Sequence, residues 1–275
     1  MRGQRKDRRL KTWENEFVNG VNVWCNRKPG GPVVLFIHGA CGTGKNGKVI
    51  GEAFDGRYRF FSPDLPGHGT SPSSVPLGEI GIEQYAEGIV PFCNLFKDEK
   101  VHLVTHSMGG PVGVALTGMV PNIGKIILLN CPPLGKPLIT PKTFFWALKY
   151  LGKFWNGEPW IYTETDYRYL LCGSSQGFDM EPGLAGTMYR NSVFGSGRAA
   201  YQMCTGKFSA PVLLDNQMLF VGAYGDRIVP AHFNRRHLKQ YPHAQIFEFE
   251  GTHMSVFDPA YQWVFAREVI PWLKR

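Results

Sequence analysis

The sequence predicts an α/β domain, with a mostly parallel central sheet flanked by helices and carrying a mainly helical insertion. Three observations predict it. Short, continuous apolar runs recur at 32–38, 58–64, 100–107, 125–130, 218–226 and 244–253. Helix-like stretches at 82–96, 108–119, 231–241 and 260–274 lie among them. From 134 to 204 the alternation stops, and aromatic residues crowd a segment with no clear strand, among them Trp146, Phe154, Trp160 and Tyr162. Continuous rather than alternating apolar runs mark strands covered on both faces, as parallel sheets require.

Each element follows in order. Residues 1–11 carry six basic side chains and one acidic one, which is +5 of the chain's formal +8. We read residues 1–12 as a solvated basic arm rather than as a contact for acidic lipid or polyanions. The remaining residues are close to neutral for their number, so nucleic acid is not an expected partner. At 16–25 the sequence alternates around Asn19-Gly20, two residues that tolerate positive φ, and a hairpin is expected. The core is expected over 13–133 and 205–275, with the insertion at 134–204.

Apolar residues make up 43% of the chain and charged residues 19%, the balance of a packed protein rather than a disordered one. Cys25, Cys41, Cys93, Cys131, Cys172 and Cys204 are scattered, with no C-x-x-C pair and no zinc spacing. Reduced thiols in the cytoplasm are expected. No apolar stretch follows the basic arm as in a secretory signal, and no run approaches the roughly 20 residues of a membrane span.

In parallel sheets the chemistry sits at the carboxyl ends of the strands. Ser107 lies there, in Thr105-His106-Ser107-Met108-Gly109-Gly110, between a buried run and a helix rich in small residues. A serine on a tight strand-to-helix turn is held exposed, and the helix N-terminus aims N–H groups at the same spot. Its hydroxyl becomes a nucleophile only when a base takes its proton and a carboxylate orients that base. His253 follows the last apolar run and Asp226 the one before it, so both can reach back. For an oxyanion, the N–H of Met108 is one donor, and the loop after 32–38 supplies Ala40 as the first candidate for a second, with Cys41 next. Cys41 itself reads as a small buried filler.

The set FIHGA at 36–40, DLPGHGTS at 64–71, HSMGG at 106–110, GDRIVP at 225–230 and GTHM at 251–254 resembles the α/β-hydrolase superfamily. The resemblance covers roughly 16–134 and 205–275. It implies Ser107 as nucleophile, Asp226 as acid, His253 as base, and Ala40 and Met108 as oxyanion donors. It also implies that the insertion is a lid over the pocket, and that no cofactor or metal takes part. The sequence departs from the family's G-x-S-x-G pattern at Thr105, which stands where the first Gly would be. Some relatives place the acid after the sixth strand, where this chain has Asn130, which cannot serve. Asp64 and His68 belong to a segment that shapes a loop in that family.

The expected function is hydrolysis of an ester or thioester of a small, apolar acyl substrate. Amide or carbon–carbon hydrolysis on the same residues, and a non-catalytic small-molecule receptor, are the alternatives. A nucleotide-binding reading competes at 39–46, which is G-x-x-x-x-G-K followed by Asn46 instead of the Ser or Thr that would hold magnesium. It also expects a helix start that Asn46-Gly47, a turn signal, speaks against. Oligomeric state is left open.

Overall fold

The computed structural model describes residues 13–27, 30–54, 56–138, 141–210 and 217–275. The basic arm at 1–12 lies outside the described residues.

Eight strands form one sheet. They are β1 (Glu14–Val18), β2 (Val21–Cys25), β3 (Val33–Ile37), β4 (Arg59–Pro63), β5 (Val101–His106), β6 (Ile123–Leu129), β7 (Met218–Ala223) and β8 (Gln245–Phe249), in the order β1-β2-β4-β3-β5-β6-β7-β8. The first two strands form the expected hairpin, with Asn19 at φ 48 and Gly20 at φ 82. β2 joins β4 antiparallel, and every later pairing is parallel.

The continuous apolar runs have a simple cause. Along β3, Val34 and Phe36 face one layer of the core while Val33, Leu35 and Ile37 face the other. β7 divides the same way, Leu219 and Val221 against Met218 and Phe220. Both faces are covered, so both sets must be apolar. One layer holds α2 (Ile82–Cys93) and α3 (Gly109–Thr117). The other holds α1 (Gly47–Ala53) and the C-terminal helical run from 262 to 273.

Three expectations need correction. The run at 244–253 is not covered on both faces. β8 is an edge strand, and most of its residues are partly exposed. The helix expected at 231–241 is only His232–His237, followed by turns. A helix does begin after Asn46. Gly47 opens α1 because a Cβ there would collide with Ser62 Oγ and Phe36, so this glycine serves close helix–sheet packing rather than a turn.

Between β6 and β7 the chain contributes α4 (Pro141–Asn156), the short α5 (Glu164–Asp166) running into a π-helical turn at Tyr167–Cys172, α6 (Pro182–Arg190) and α7 (Gly197–Thr205). Trp146, Tyr150, Phe154, Trp160 and Tyr162 pack against one another here, with ring centroids 4.8–6.1 Å apart. No helix among the described residues is long and apolar enough to cross a membrane.

Candidate active site

Ser107 occupies the turn between β5 and α3 at φ 51, a left-handed conformation that β-carbon sterics penalise. The turn is held from both sides. Ser107 N–H donates to Leu129 O at 3.0 Å, and Gly110 N–H donates to Ser107 O at 2.8 Å. Strain maintained this firmly in a non-glycine residue is characteristic of functional positions.

The small residues around Ser107 are required by contact. A Cβ on Gly109 would strike the carbonyl oxygens of Ile37 and His38, and one on Gly110 would strike the Cys131 sulfur. Thr105, which stands where the G-x-S-x-G pattern has its first glycine, is fully buried and donates from Oγ1 to Ile127 O at 3.1 Å. Its methyl is accommodated by Gly113 on α3, where a Cβ would lie only 2.7 Å from Thr105 Cγ2. The larger residue on the strand is matched by a missing side chain on the helix, and the turn keeps its shape.

Asp226 and His253 are brought together. His253 Nδ1 donates to Asp226 Oδ2 at 2.6 Å, and both side chains are almost wholly buried. The other oxygen, Oδ1, accepts from the N–H groups of Ile228 and Val229, each at 2.8 Å. The carboxylate is thus fixed in orientation, and it holds the ring with Nδ1 toward Asp226 and Nε2 on the opposite side. Ser107 and His253 line one cleft. Among the described residues no hydrogen bond joins them, and contacts of this kind often tighten only when substrate seats.

Sequence reasoning missed two residues. Asn130, at the end of β6 with φ 46, donates from Nδ2 to His253 O at 2.8 Å and accepts at Oδ1 from Ala223 N–H at 3.0 Å. It cannot be the acid, yet it ties the His253 loop to β7, the strand leading to Asp226. His106 Nε2–H donates to the same His253 carbonyl at 3.0 Å. Burial, reinforced by the neighbouring His253, holds the His106 pKa well below its ordinary value, so the ring is neutral. The only local signals were an asparagine in place of an acid and a histidine beside the serine.

The N–H groups of Ala40 and Met108 donate to no group among the described residues, and both residues adjoin Ser107, Ala40 in the cleft and Met108 in sequence. Cys41 is buried at φ 59, and burial pushes its thiol up to about 12, which keeps it protonated.

The nucleotide-binding reading fails on the same loop. Gly44 N–H donates to Asp64 Oδ1 at 2.7 Å, and Thr43 N–H donates to Asn46 Oδ1 at 2.8 Å. Amides that would cradle phosphate are already bonded, one of them to a carboxylate. Asp64 also accepts from Asn22 at 2.6 Å and Thr70 at 3.1 Å, which fits a loop-shaping role. His68 is buried against His38 and Tyr85, away from Ser107's cleft. Among the described residues no three His, Cys, Asp or Glu side chains are grouped as metal ligands.

Two cavities meet at Ser107, Ala40 and Tyr162. The first is the cleft that contains His253, with about 480 Å³ of empty space, part of it open to solvent. The second, with about 430 Å³ of empty space that is likewise partly open to solvent, is lined by aromatic and aliphatic side chains of the segment between β6 and β7 together with Ile228 and Val229.

Comparison with known proteins accords with this architecture. The model of the alpha/beta hydrolase family matches residues 34–267. The chain is 33% identical over 100 residues to the magnesium-chelatase 30 kDa subunit of Rhodobacter capsulatus, covering 36% of this chain and 34% of that one. It is 32% identical over 103 residues to a 3-hydroxybutyrate-oligomer hydrolase of Cupriavidus necator, covering 37% and 35%. These matches span about a third of the relatives' length. Among solved structures, a thermophilic esterase from Thermogutta terrifontis superposes with a TM-score of 0.72 at 19% identity, over 96% of this chain and 98% of that one. With the family model spanning most of the sheet, from β3 to the C-terminal helices, the chain belongs to the alpha/beta hydrolase family.

Proposed function

We propose that the chain is a serine hydrolase that cleaves an ester or thioester of a small, largely apolar substrate through a Ser107 acyl-enzyme. The observation that carries this is the strained Ser107 in one cleft with His253, whose far nitrogen is held by Asp226 at 2.6 Å. Ser107 Oγ attacks the carbonyl carbon as its proton passes to His253 Nε2. The oxygen turns anionic and is met by the N–H groups of Ala40 and Met108, dipoles already in place before reaction. His253 returns the proton to the leaving oxygen of an ester or the leaving sulfur of a thioester, which departs as alcohol or thiol. Water, deprotonated by the same nitrogen, then cleaves the acyl-enzyme to the acid and restores Ser107.

In this reading the helices of 134–204 are a lid, and excluding water beneath it strengthens the oxyanion contacts. The six free thiols support a place in the cytoplasm. The test is hydrolysis of short- and medium-chain p-nitrophenyl esters, with fluorophosphonate labelling, by wild type and Ser107→Ala. Turnover and labelling that both vanish in the variant are expected. Wild type inert to esters and probe alike would overturn the reading in favour of a binding protein.

A further inference from the structure

The two cavities at Ser107 differ in chemistry and in the groups they contain, and together they assign the two halves of the substrate. Resting on the reading of Ser107 as nucleophile and His253 as base, we infer that the substrate is an ester of an uncharged apolar acid with a small polyhydroxy alcohol.

The side of each half follows from proton transfer. The proton that His253 receives must go to the leaving oxygen, so the alcohol lies beside the imidazole. His253 lines the first cleft and does not line the aromatic cavity. The aromatic cavity does contain Ser107 and Ala40. An acyl carbon on Ser107 Oγ, with its oxygen at the Ala40 N–H, therefore directs its remaining substituent into that cavity. The acyl chain goes among the aromatics and the alcohol goes into the cleft that holds His253.

The linings set the chemistry. Around the aromatic cavity Trp146, Phe154, Trp160, Met203, Ile228 and Val229 contribute apolar surface, and no Asp, Glu, Lys, Arg or His lines it. Apolar surface buried there is stabilised by leaving water, while an ionised acyl tail would be desolvated without a partner. The cleft is mixed: Asn46, Asn191 and Ser192 line it beside Leu171, Met188 and Phe257, so unlike the aromatic cavity it offers polar side chains along with apolar ones. Asn46 Oδ1 is taken by Thr43 N–H, which leaves its amide N–H groups to donate. Asn191 Nδ2 is taken by Thr187 O, which leaves Oδ1 to accept. A donor and an acceptor around one small space suit hydroxyl groups, each of which is both.

The first comparison places one apolar chain on either side of the ester, as 1-hexanoylglycerol and hexyl acetate. Wild type is expected to favour hexanoylglycerol by about 10- to 100-fold in kcat/KM, the range a few methylenes command in a fitted pocket. Equal rates, or a preference for hexyl acetate, would overturn the inference while leaving the serine hydrolase reading intact. No turnover of any ester and no fluorophosphonate labelling would overturn both. Ala200→Phe narrows the aromatic cavity and Trp146→Ala widens it. The ratio of p-nitrophenyl hexanoate to acetate turnover should fall in the first and, for decanoate against hexanoate, rise in the second. Ratios that stay unmoved in both folded variants would refute the acyl assignment. Asn191→Ala should raise KM for hexanoylglycerol relative to p-nitrophenyl hexanoate, and an equal change in both would refute the alcohol assignment.

Discussion

The compensation between Thr105 and Gly113 makes a quantitative prediction about the serine turn. Gly113→Ala adds a methyl 2.7 Å from Thr105 Cγ2 and 3.3 Å from Ile126 Cδ1, both in a fully buried layer. Overpacking of this kind costs about 1–3 kcal/mol, offset by about 1 kcal/mol of helix propensity gained over glycine. The single variant should lose up to about 2 kcal/mol. Thr105→Ser removes only the methyl and keeps the hydroxyl that bonds Ile127 O at 3.1 Å. It should lose about 1 kcal/mol, the value of one buried methyl group. In the double variant the methyl added at position 113 enters the space that the Thr105 methyl left, and stability should return to within about 0.5 kcal/mol of wild type.

The assay is a double-mutant cycle by urea denaturation, with ester turnover measured on each variant. A favourable coupling energy of about 1–3 kcal/mol is expected. Turnover should fall in Gly113→Ala, because the displaced Thr105 is two residues from Ser107, and recover in the double variant. Additive stabilities would show that the Thr105 methyl and Gly113 do not share this space, and the account of the altered turn would fail.

Asp226→Asn should lower kcat by about four powers of ten with a small change in KM, since an amide can hold His253 in the wrong tautomer. Asn130→Ala should cost about 2–4 kcal/mol in a urea melt, from an orphaned Ala223 N–H and an alanine at φ 46. Asn130→Gly should recover the backbone part of that loss but not kcat. Burial holds His38 and His237 down to about 4, against an ordinary 6.5. Depressed values mean that neutral rings favour the fold: this stability is complete above pH 6.5 and drains as pH falls toward 4. The urea midpoint should therefore drop across that window, and His237→Phe, which keeps a ring stacked on Phe220, should drop less. An unchanged slope in that variant would exclude His237 as a contributor.

Much of this was legible in sequence, and the limits have physical causes. The inner strands were visible because both faces are buried, which produces unbroken apolar runs. β8 carries a similar composition but has a neighbour on one side only, and composition does not report position in a sheet. The start of α1 was hidden because Gly47 is demanded by Ser62 and Phe36, contacts that the local turn signal of Asn46-Gly47 does not contain. Ser107, Asp226 and His253 stood out because each follows a strand. Asn130 and His106 did not, because their partner at His253 O lies 123 and 147 residues away. The polarity of the two cavities depends on which aromatic side chains turn inward. On α4, Trp146 lines a cavity while Phe145 is 72% exposed, and adjacent residues of one type carry no such distinction in sequence.

The glycine-rich loop after β3 shows how one local pattern can serve two unrelated chemistries. A phosphate loop and an oxyanion loop both present backbone N–H groups at the carboxyl end of a parallel strand. What separates them is how many of those groups remain available. Here the Asp64 carboxylate holds Gly44 N–H, and the Asn46 side chain holds Thr43 N–H. A carboxylate placed inside the loop would also repel phosphate. The Ala40 N–H donates to no group among the described residues, and Ala40 lines one cleft with Ser107, so in the proposed mechanism this amide would meet a carbonyl oxygen as it becomes anionic. A divided loop of this kind suits one developing charge next to a nucleophile and is unsuited to the several charges of a nucleotide. The fold supplies the strand end and the amides, and the side chains at 46 and 64 decide which of them a substrate can reach.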